Sequence, residues 1–135
     1  MNERYLILTI GLPRSGKSTW AQQSGLPIVC PDAIRLAIHG MAFYPDAEAI
    51  VWATAHIMVR SLFIAGHSRV VLDATNITKR RRDEWKDHRW ECLWKIFDTT
   101  VEECISRAIA SNRKDLIPII THMAQQRELP ETGGI

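Results

Sequence analysis

The run Gly11-Leu12-Pro13-Arg14-Ser15-Gly16-Lys17-Ser18 constrains this chain more than any other stretch. It spells G-x-x-x-x-G-K-S, a phosphate-binding loop. Its flanks agree with that reading. Tyr5 to Ile10 is apolar and rich in β-formers, so it predicts a buried strand. Ser18 to Gln23 predicts the first turns of a helix. Strand, glycine loop and helix are the order the chemistry requires, because backbone N–H groups of the loop and helix start then converge on one anion. Gly11 and Gly16 supply backbone conformations that side chains disfavour. Lys17 reaches toward β- and γ-phosphates, and the Ser18 hydroxyl is a ligand for Mg²⁺. Pro13, Arg14, Ser15 and Thr19 complete the expected nucleotide-binding set. The plainer alternative is a glycine turn with a surface lysine.

The chain has 135 residues, which bounds it to one domain. Apolar residues make up 46%, enough for a core, and the net charge of +2 permits an anionic substrate without demanding one. Cys30, Cys92 and Cys104 are odd in number and have no metal-ligand spacing, so they read as small buried apolar residues of a reducing, cytoplasmic compartment. The N-terminus leads straight into the first strand, with no signal-peptide pattern. Ala47 to Ala65 is apolar but interrupted by Glu48, His56 and Arg60, so no membrane association is expected.

Further along, Ile28 to Cys30 predicts a short strand. Pro31-Asp32 ends it, with Asp32 at the cap position of a helix that runs to Gly40. Met41 to Tyr44 is an irregular link. A long helix follows over about Ala47–Ala65, with Ile50, Ala53, Ile57, Val59 and Leu62 on its apolar face. Arg69 to Asp73 is a third strand, Thr78 to His88 a polar helix and Glu91 to Asp98 a fourth strand. Helices over Val101–Ala110 and Ile117–Arg127 close the domain at about residue 128, and 129–135 reads as a loose tail. Alternating strands and helices imply a three-layer α/β/α sandwich with four or five parallel strands. Ligands of such sheets bind at the carboxyl ends of the strands. Asp32, Asp73 and Asp98 fall there, beside the glycine loop.

Asp73 ends an apolar strand, where a carboxylate holds Mg²⁺ opposite Ser18 or simply caps a turn. Asp32 is a candidate general base for an acceptor hydroxyl, or only a helix cap. Arg35 lies one helical turn beyond Asp32 and is a candidate anion clamp, against a solvated helix arginine. Arg107 and Arg113 flank the break after the penultimate helix. Either would stabilise charge on a transferred phosphoryl group, or face solvent. Lys79-Arg80-Arg81-Arg82, with Trp85 one turn on, is the one concentrated basic run. Its commoner meaning is a solvated face, and its sharper one a nucleic-acid path. The five histidines form no metal spacing.

At these residues the chain resembles the kinase domain of phage-type polynucleotide 5′-hydroxyl kinases. The likeness runs from Leu6–Ala21 through Asp32-Ala33-Ile34-Arg35, a D-x-x-R, and Asp73-Ala74-Thr75-Asn76, a D-x-T-N, to Lys95-Ile96-Phe97-Asp98. The resemblance implies a P-loop NTPase fold and ATP- and Mg²⁺-dependent phosphorylation of a 5′-hydroxyl on DNA or RNA, in the setting of nucleic-acid repair. It implies Lys17 and Ser18 on the donor, Asp32 as base, Arg35 on the acceptor's neighbouring phosphate, and a lid arginine that aligns best with Arg113. Asn76, Arg80 and Arg81 join the acceptor side on the same grounds. Arg14 departs from the pattern, standing where the family usually has glycine at the loop apex. A kinase of a small hydroxylated molecule, using ATP or another NTP, and a non-catalytic nucleotide-binding module are the competing readings.

Overall fold

A computed structural model describes residues 3–40, 43–131 and 134–135. Four parallel strands form the sheet: β1 (Tyr5–Ile10), β2 (Ile28–Val29), β3 (Arg69–Leu72) and β4 (Glu91–Ile96). Their order is β2-β3-β1-β4, so the chain leaves β1 to one side first and to the other side later. That reversal opens a crevice at the carboxyl end of β1, the usual ligand position in such sheets. β1 is central, pairing with β3 from Tyr5↔Arg69 and with β4 from Tyr5↔Glu91.

Alternation along β1 sets the two layers, because successive side chains point to opposite faces. Leu6 and Leu8 join Val51, Ala55, Val59 and Phe63 of helix α3 (Glu48–Ile64), Ile34 of α2 (Pro31–His39), Trp85 and Trp90 in the larger core. Ile7 faces the other way, onto Ala21 of α1 (Lys17–Gln23). A third cluster joins Leu12 of the glycine loop to Cys104 and Ala108 of α5 (Val101–Ala110) and Ile120 of α6 (Ile117–Gln126). The loop is thereby fastened to the last two helices as well as to the sheet.

Four expectations change. First, α3 buries Val51, Ala55, Val59 and Phe63, whereas Ile50 and Ile57 are 59% and 66% exposed and Ala53 also faces out. The helix is apolar nearly all round, so its sequence holds no strong moment to choose a face. Pro45–Ile64 is long and apolar enough to cross a membrane by length and composition, yet its Val51–Phe63 stripe lies in the core of this fold. Second, α2 begins at Pro31, with Cys30 at the cap position; Pro fits the first helical position, where no N–H is needed. Asp32 therefore caps nothing. Third, the polar helix is only α4 (Lys79–Asp83), capped by Thr78, whose hydroxyl accepts from the Arg81 N–H. Fourth, the chain end returns to the sheet: Gly134 pairs in parallel with Trp94, and the Ile135 N–H donates to the Trp94 carbonyl at 2.8 Å. This single bridge prolongs the sheet beyond β4, where a loose tail was expected. Of the irregular link, Met41 and Ala42 lie outside the described residues.

Candidate active site

The glycine loop is held at both strand ends. Gly11 N–H donates to the Thr75 carbonyl at 3.0 Å, and Phe97 N–H donates to that of Ile10 at 2.7 Å. The Thr99 hydroxyl donates to the Ser15 carbonyl at 2.9 Å. A Cβ on Gly11 would stand 2.5 Å from Ser15 Oγ and 3.0 Å from Phe97 Cβ, so only glycine fits. Gly16 caps α1 at φ 104°, in the left-handed region that side chains resist. Arg14 also adopts φ 68° at the exposed loop apex. The backbone geometry explains why glycine suits that place, and shows that arginine enters it at a conformational cost rather than by crowding the loop.

Lys17 is buried within this loop, and its Nζ donates to the Leu12 carbonyl at 2.7 Å. Burial lowers its pKa, opposed chiefly by the charge of Asp73 and also by that of Asp32. A desolvated ammonium at a phosphate site interacts more strongly with an incoming anion than one in water does. Ser18 Oγ donates to Asp73 Oδ2 at 2.8 Å. These two hard oxygens, adjacent and at the loop's mouth, suit Mg²⁺, which takes oxygen ligands and usually keeps waters and substrate phosphates. Among the described residues no cluster of three or more His, Cys, Asp or Glu competes for that role.

The facing wall begins at the end of β2. Arg35 NH1 donates to Asp32 Oδ1 at 2.6 Å, while Arg35 Nε and NH2 donate to Glu48 Oε2 and Oε1 at 2.9 and 2.8 Å. Asp32 and Arg35 do meet across one turn of α2, as their spacing predicts. The Glu48 fork comes from the first turn of α3. Arg35 is 14% exposed, Glu48 20% and Asp32 79%, so the cluster presents its Asp32 carboxylate to solvent. The Arg35 hydrogen bonds hold the Glu48 carboxyl below its ordinary pKa, and Glu48 raises that of Arg35. Both stay charged, and the pair is a rigid mount for Asp32. Trp52, one turn beyond Glu48, carries Arg35 at 5.8 Å and Arg81 at 4.0 Å from its ring centre.

The remaining expected residues divide. Arg107 NH1 donates to the Arg14 carbonyl at 3.2 Å and approaches the space above Gly16. Arg113 turns away into a two-pronged contact with Asp115 at 3.0 Å. The structure thus sets Arg107, rather than Arg113, against the loop. Asn76 is 1% exposed, and its amide donates to the Thr9 carbonyl at 2.8 Å. It ties the ends of β1 and β3 and is not on the cleft wall. Arg82 is likewise buried, donating to the Asn76 carbonyl at 2.8 Å. Lys79 pairs with Asp83, and Arg81 with Glu84. Of the four side chains of the basic run, only that of Arg80 makes neither an ion pair nor a hydrogen bond among the described residues. Pro13, Ser15 and Thr19 lie in the loop and first turn as expected, with Ser15 buried.

Three contributors escaped the sequence reading: Glu48, Trp52 and Thr9. Glu48 entered the sequence reading only as a charge interrupting the apolar Ala47–Ala65 stretch. Its i,i+4 partner Trp52 was the available signal, because both project from one face. Thr9 sits in a strand as a β-former, but its hydroxyl donates to the Ala74 carbonyl at 2.7 Å and accepts from the Ala74 N–H. The cysteine thiols are pushed up by burial, Cys92 to about 11, as fits small core residues.

Solved structures share this fold. A chain of the Pnkp1/Rnl/Hen1 complex matches with TM-score 0.71 and 27% identity, over 79% of this chain and 40% of that one. A chain of the Pnkp1/Rnl/Hen1 RNA repair complex matches with TM-score 0.71 and 16% identity, over 100% and 50%. A gluconokinase from Sinorhizobium meliloti 1021 matches with TM-score 0.67 and 17% identity, over 100% and 82%. The chain thus spans half or less of the length of the first two of these chains. A family model described as AAA domain matches residues 6–131, and with its glycine loop, switch-point crevice and strand-end acids the chain belongs to that family and has the fold of P-loop kinases.

Proposed function

We propose that the protein transfers the γ-phosphate of ATP to a hydroxyl, and that the hydroxyl is the 5′ end of DNA or RNA. The observation that carries this reading is the Asp32–Arg35–Glu48 cluster across from the Lys17 loop. A nucleotide-binding module has no use for a solvent-facing carboxylate mounted on a fixed arginine. A kinase does. The loop N–H groups and Lys17 hold the donor phosphates. Ser18 and Asp73 would hold Mg²⁺, which when bound neutralises phosphate charge. The Asp32 carboxylate accepts the proton of the attacking hydroxyl. The hydroxyl oxygen bonds to the γ-phosphorus as its bond to the β,γ-bridging oxygen breaks, and ADP leaves. Arg107, beside the loop, is placed for the spreading charge of the transferred group. Arg35 holds an anionic group of the acceptor next to the reacting hydroxyl. The likeness to a chain of the Pnkp1/Rnl/Hen1 complex at 27% identity, and in fold to a chain of the Pnkp1/Rnl/Hen1 RNA repair complex, supports a nucleic-acid acceptor.

A small hydroxylated acceptor is the second reading, because three of the four side chains in the Lys79–Arg82 run are committed within the fold. The test offers γ-labelled ATP and Mg²⁺ with a 5′-hydroxyl oligonucleotide, a nucleoside 3′-phosphate and a panel of small alcohols. Label on the oligonucleotide is the expected result. Label on a small alcohol alone would overturn the polynucleotide reading and leave the kinase.

A further inference from the structure

The acceptor wall contains more than an anion clamp. The Trp52 indole is the common neighbour of two guanidinium groups, Arg35 at 5.8 Å and Arg81 at 4.0 Å. The two differ in what they leave free. Arg35 spends three of its five N–H donors on Asp32 and Glu48 and is 14% exposed. Arg81 gives one donor to Glu84 at 2.8 Å and remains 36% exposed. At 4.0 Å a guanidinium is in van der Waals contact with the ring beneath it. With the Trp52 ring on one side and 36% of its side chain exposed, Arg81 has surface left for a second planar group. The ring under Arg81 is itself fixed, edge to face with the fully buried Trp85 at 6.3 Å. The site therefore holds a planar cation against a fixed ring, next to the arginine bonded to Asp32.

We propose that Arg81, backed by Trp52, is the stacking seat for the base of the acceptor's terminal nucleotide, an assignment that rests on the nucleic-acid reading above. Nucleobases stack on arginine planes as they do on aromatic rings, and every base has a face to offer. The seat thus selects for a base near the reacting hydroxyl without selecting which base. It also divides labour along one indole: Arg35 takes the anionic group, Arg81 the ring. Trp52 is a positioning residue, acting through Arg81. Arg80, exposed and without an ion pair among the described residues, supplies charge to the cleft approach and no plane.

The experiment compares two 5′-hydroxyl oligonucleotides, one ordinary and one lacking the base of its 5′-terminal residue, at saturating ATP. For the native enzyme, removing the base should raise KM about tenfold, the scale of one stacked base. Arg81→Lys keeps the charge and loses the plane. It should raise KM about tenfold on the ordinary oligonucleotide and less than about twofold on the abasic one, since the two losses share a partner. Trp52→Ala should follow Arg81→Lys, and Trp52→Phe, which keeps a ring, should lie between. Because Arg81 is at the surface, its variant carries the test even where Trp52→Ala unfolds. Native KM in Arg81→Lys, or equal losses on both oligonucleotides, would overturn the seat and leave a simple charge or a structural contact. Transfer to oligonucleotides regardless of a terminal base overturns the seat alone. Absence of transfer to any oligonucleotide overturns the nucleic-acid reading and the seat with it.

Discussion

The two walls of the cleft are made differently. The donor wall is one continuous segment, Gly11 to Ser18, whose working parts are mainly backbone N–H groups and one buried lysine. The wall we propose for the acceptor is assembled from the end of β2, the first turns of α2 and α3, and α4, and its working parts are side chains that hold one another by ion pairs and cation–π contact. Backbone fixed by a sheet cannot be retuned without refolding the loop. Side-chain pairs can be exchanged one at a time. A fold built this way can keep one wall constant and let the other vary, which fits neighbours of one shape that include both an RNA-repair-complex chain and a gluconokinase.

Variants separate the walls in order of effect. Lys17→Ala removes the one buried cation of the donor wall, and phosphoryl transfer should fall by about 10³-fold. A rate within tenfold of native, read with γ-labelled ATP, would deny the loop its role. Next comes the acceptor wall's carboxylate. Asp32→Asn should lower kcat by about 10²-fold with ATP affinity retained. Because Asp32 caps no helix, a drop in thermal stability of the same variant would point instead to a structural part. Then the bridge between the walls: Arg107→Ala should cost about tenfold or more in kcat, and Arg113→Ala distinctly less. The reverse ranking would mean that Arg113 leaves Asp115 and closes over the donor when ATP binds.

The difference between the walls also decides what could be read without a structure. The donor wall was legible because its chemistry demands fixed residues at fixed spacing within one stretch. Asp32 and Arg35 were legible because their three-residue spacing puts them on one helical face. Glu48 was not, since nothing in the chain links an acid of one helix to an arginine thirteen positions earlier. Asn76 and Arg82 were misplaced because a buried amide or guanidinium tying strand ends together uses the same residue types as a polar binding site. The inward face of α3 was lost in a helix whose apolar residues encircle it. A parallel sheet with its ligand side at the strands' carboxyl ends followed from element order alone; the strand order β2-β3-β1-β4 and the pairing of Trp94 with Gly134 needed the structure.

A pH titration tests whether the acceptor wall is held by ion pairs as argued. Arg35 holds the folded-state pKa of Glu48 below its ordinary 4.5, so the pair's stabilisation is complete above pH 4.5 and is lost as pH falls through the folded value. Glu48→Gln should cost about 1.5–3 kcal/mol at neutral pH, the range for hydrogen bonds to a charged group. The gap in Tm between native and variant should be constant above pH 4.5 and close below it. A gap that persists under acid would trace the loss to packing against Trp52 rather than to charge.

The smallest effect is expected where the donor wall departs from its own rule. Arg14 holds φ 68° at the apex of a loop otherwise turned by glycines. Arg14→Gly removes the left-handed penalty of about 1–2 kcal/mol and adds chain entropy to the unfolded state, worth about 0.5–1 kcal/mol in the opposite sense. The net gain should be about 0.5–1 kcal/mol, a rise of a few degrees in Tm. The Arg107 contact is to the carbonyl of residue 14, not to its side chain, so glycine leaves that bridge intact. If ATP affinity falls in Arg14→Gly while stability rises, the side chain itself reaches the donor. The strain would then be part of how this loop binds its nucleotide, a side-chain contribution on a wall otherwise built mainly of backbone.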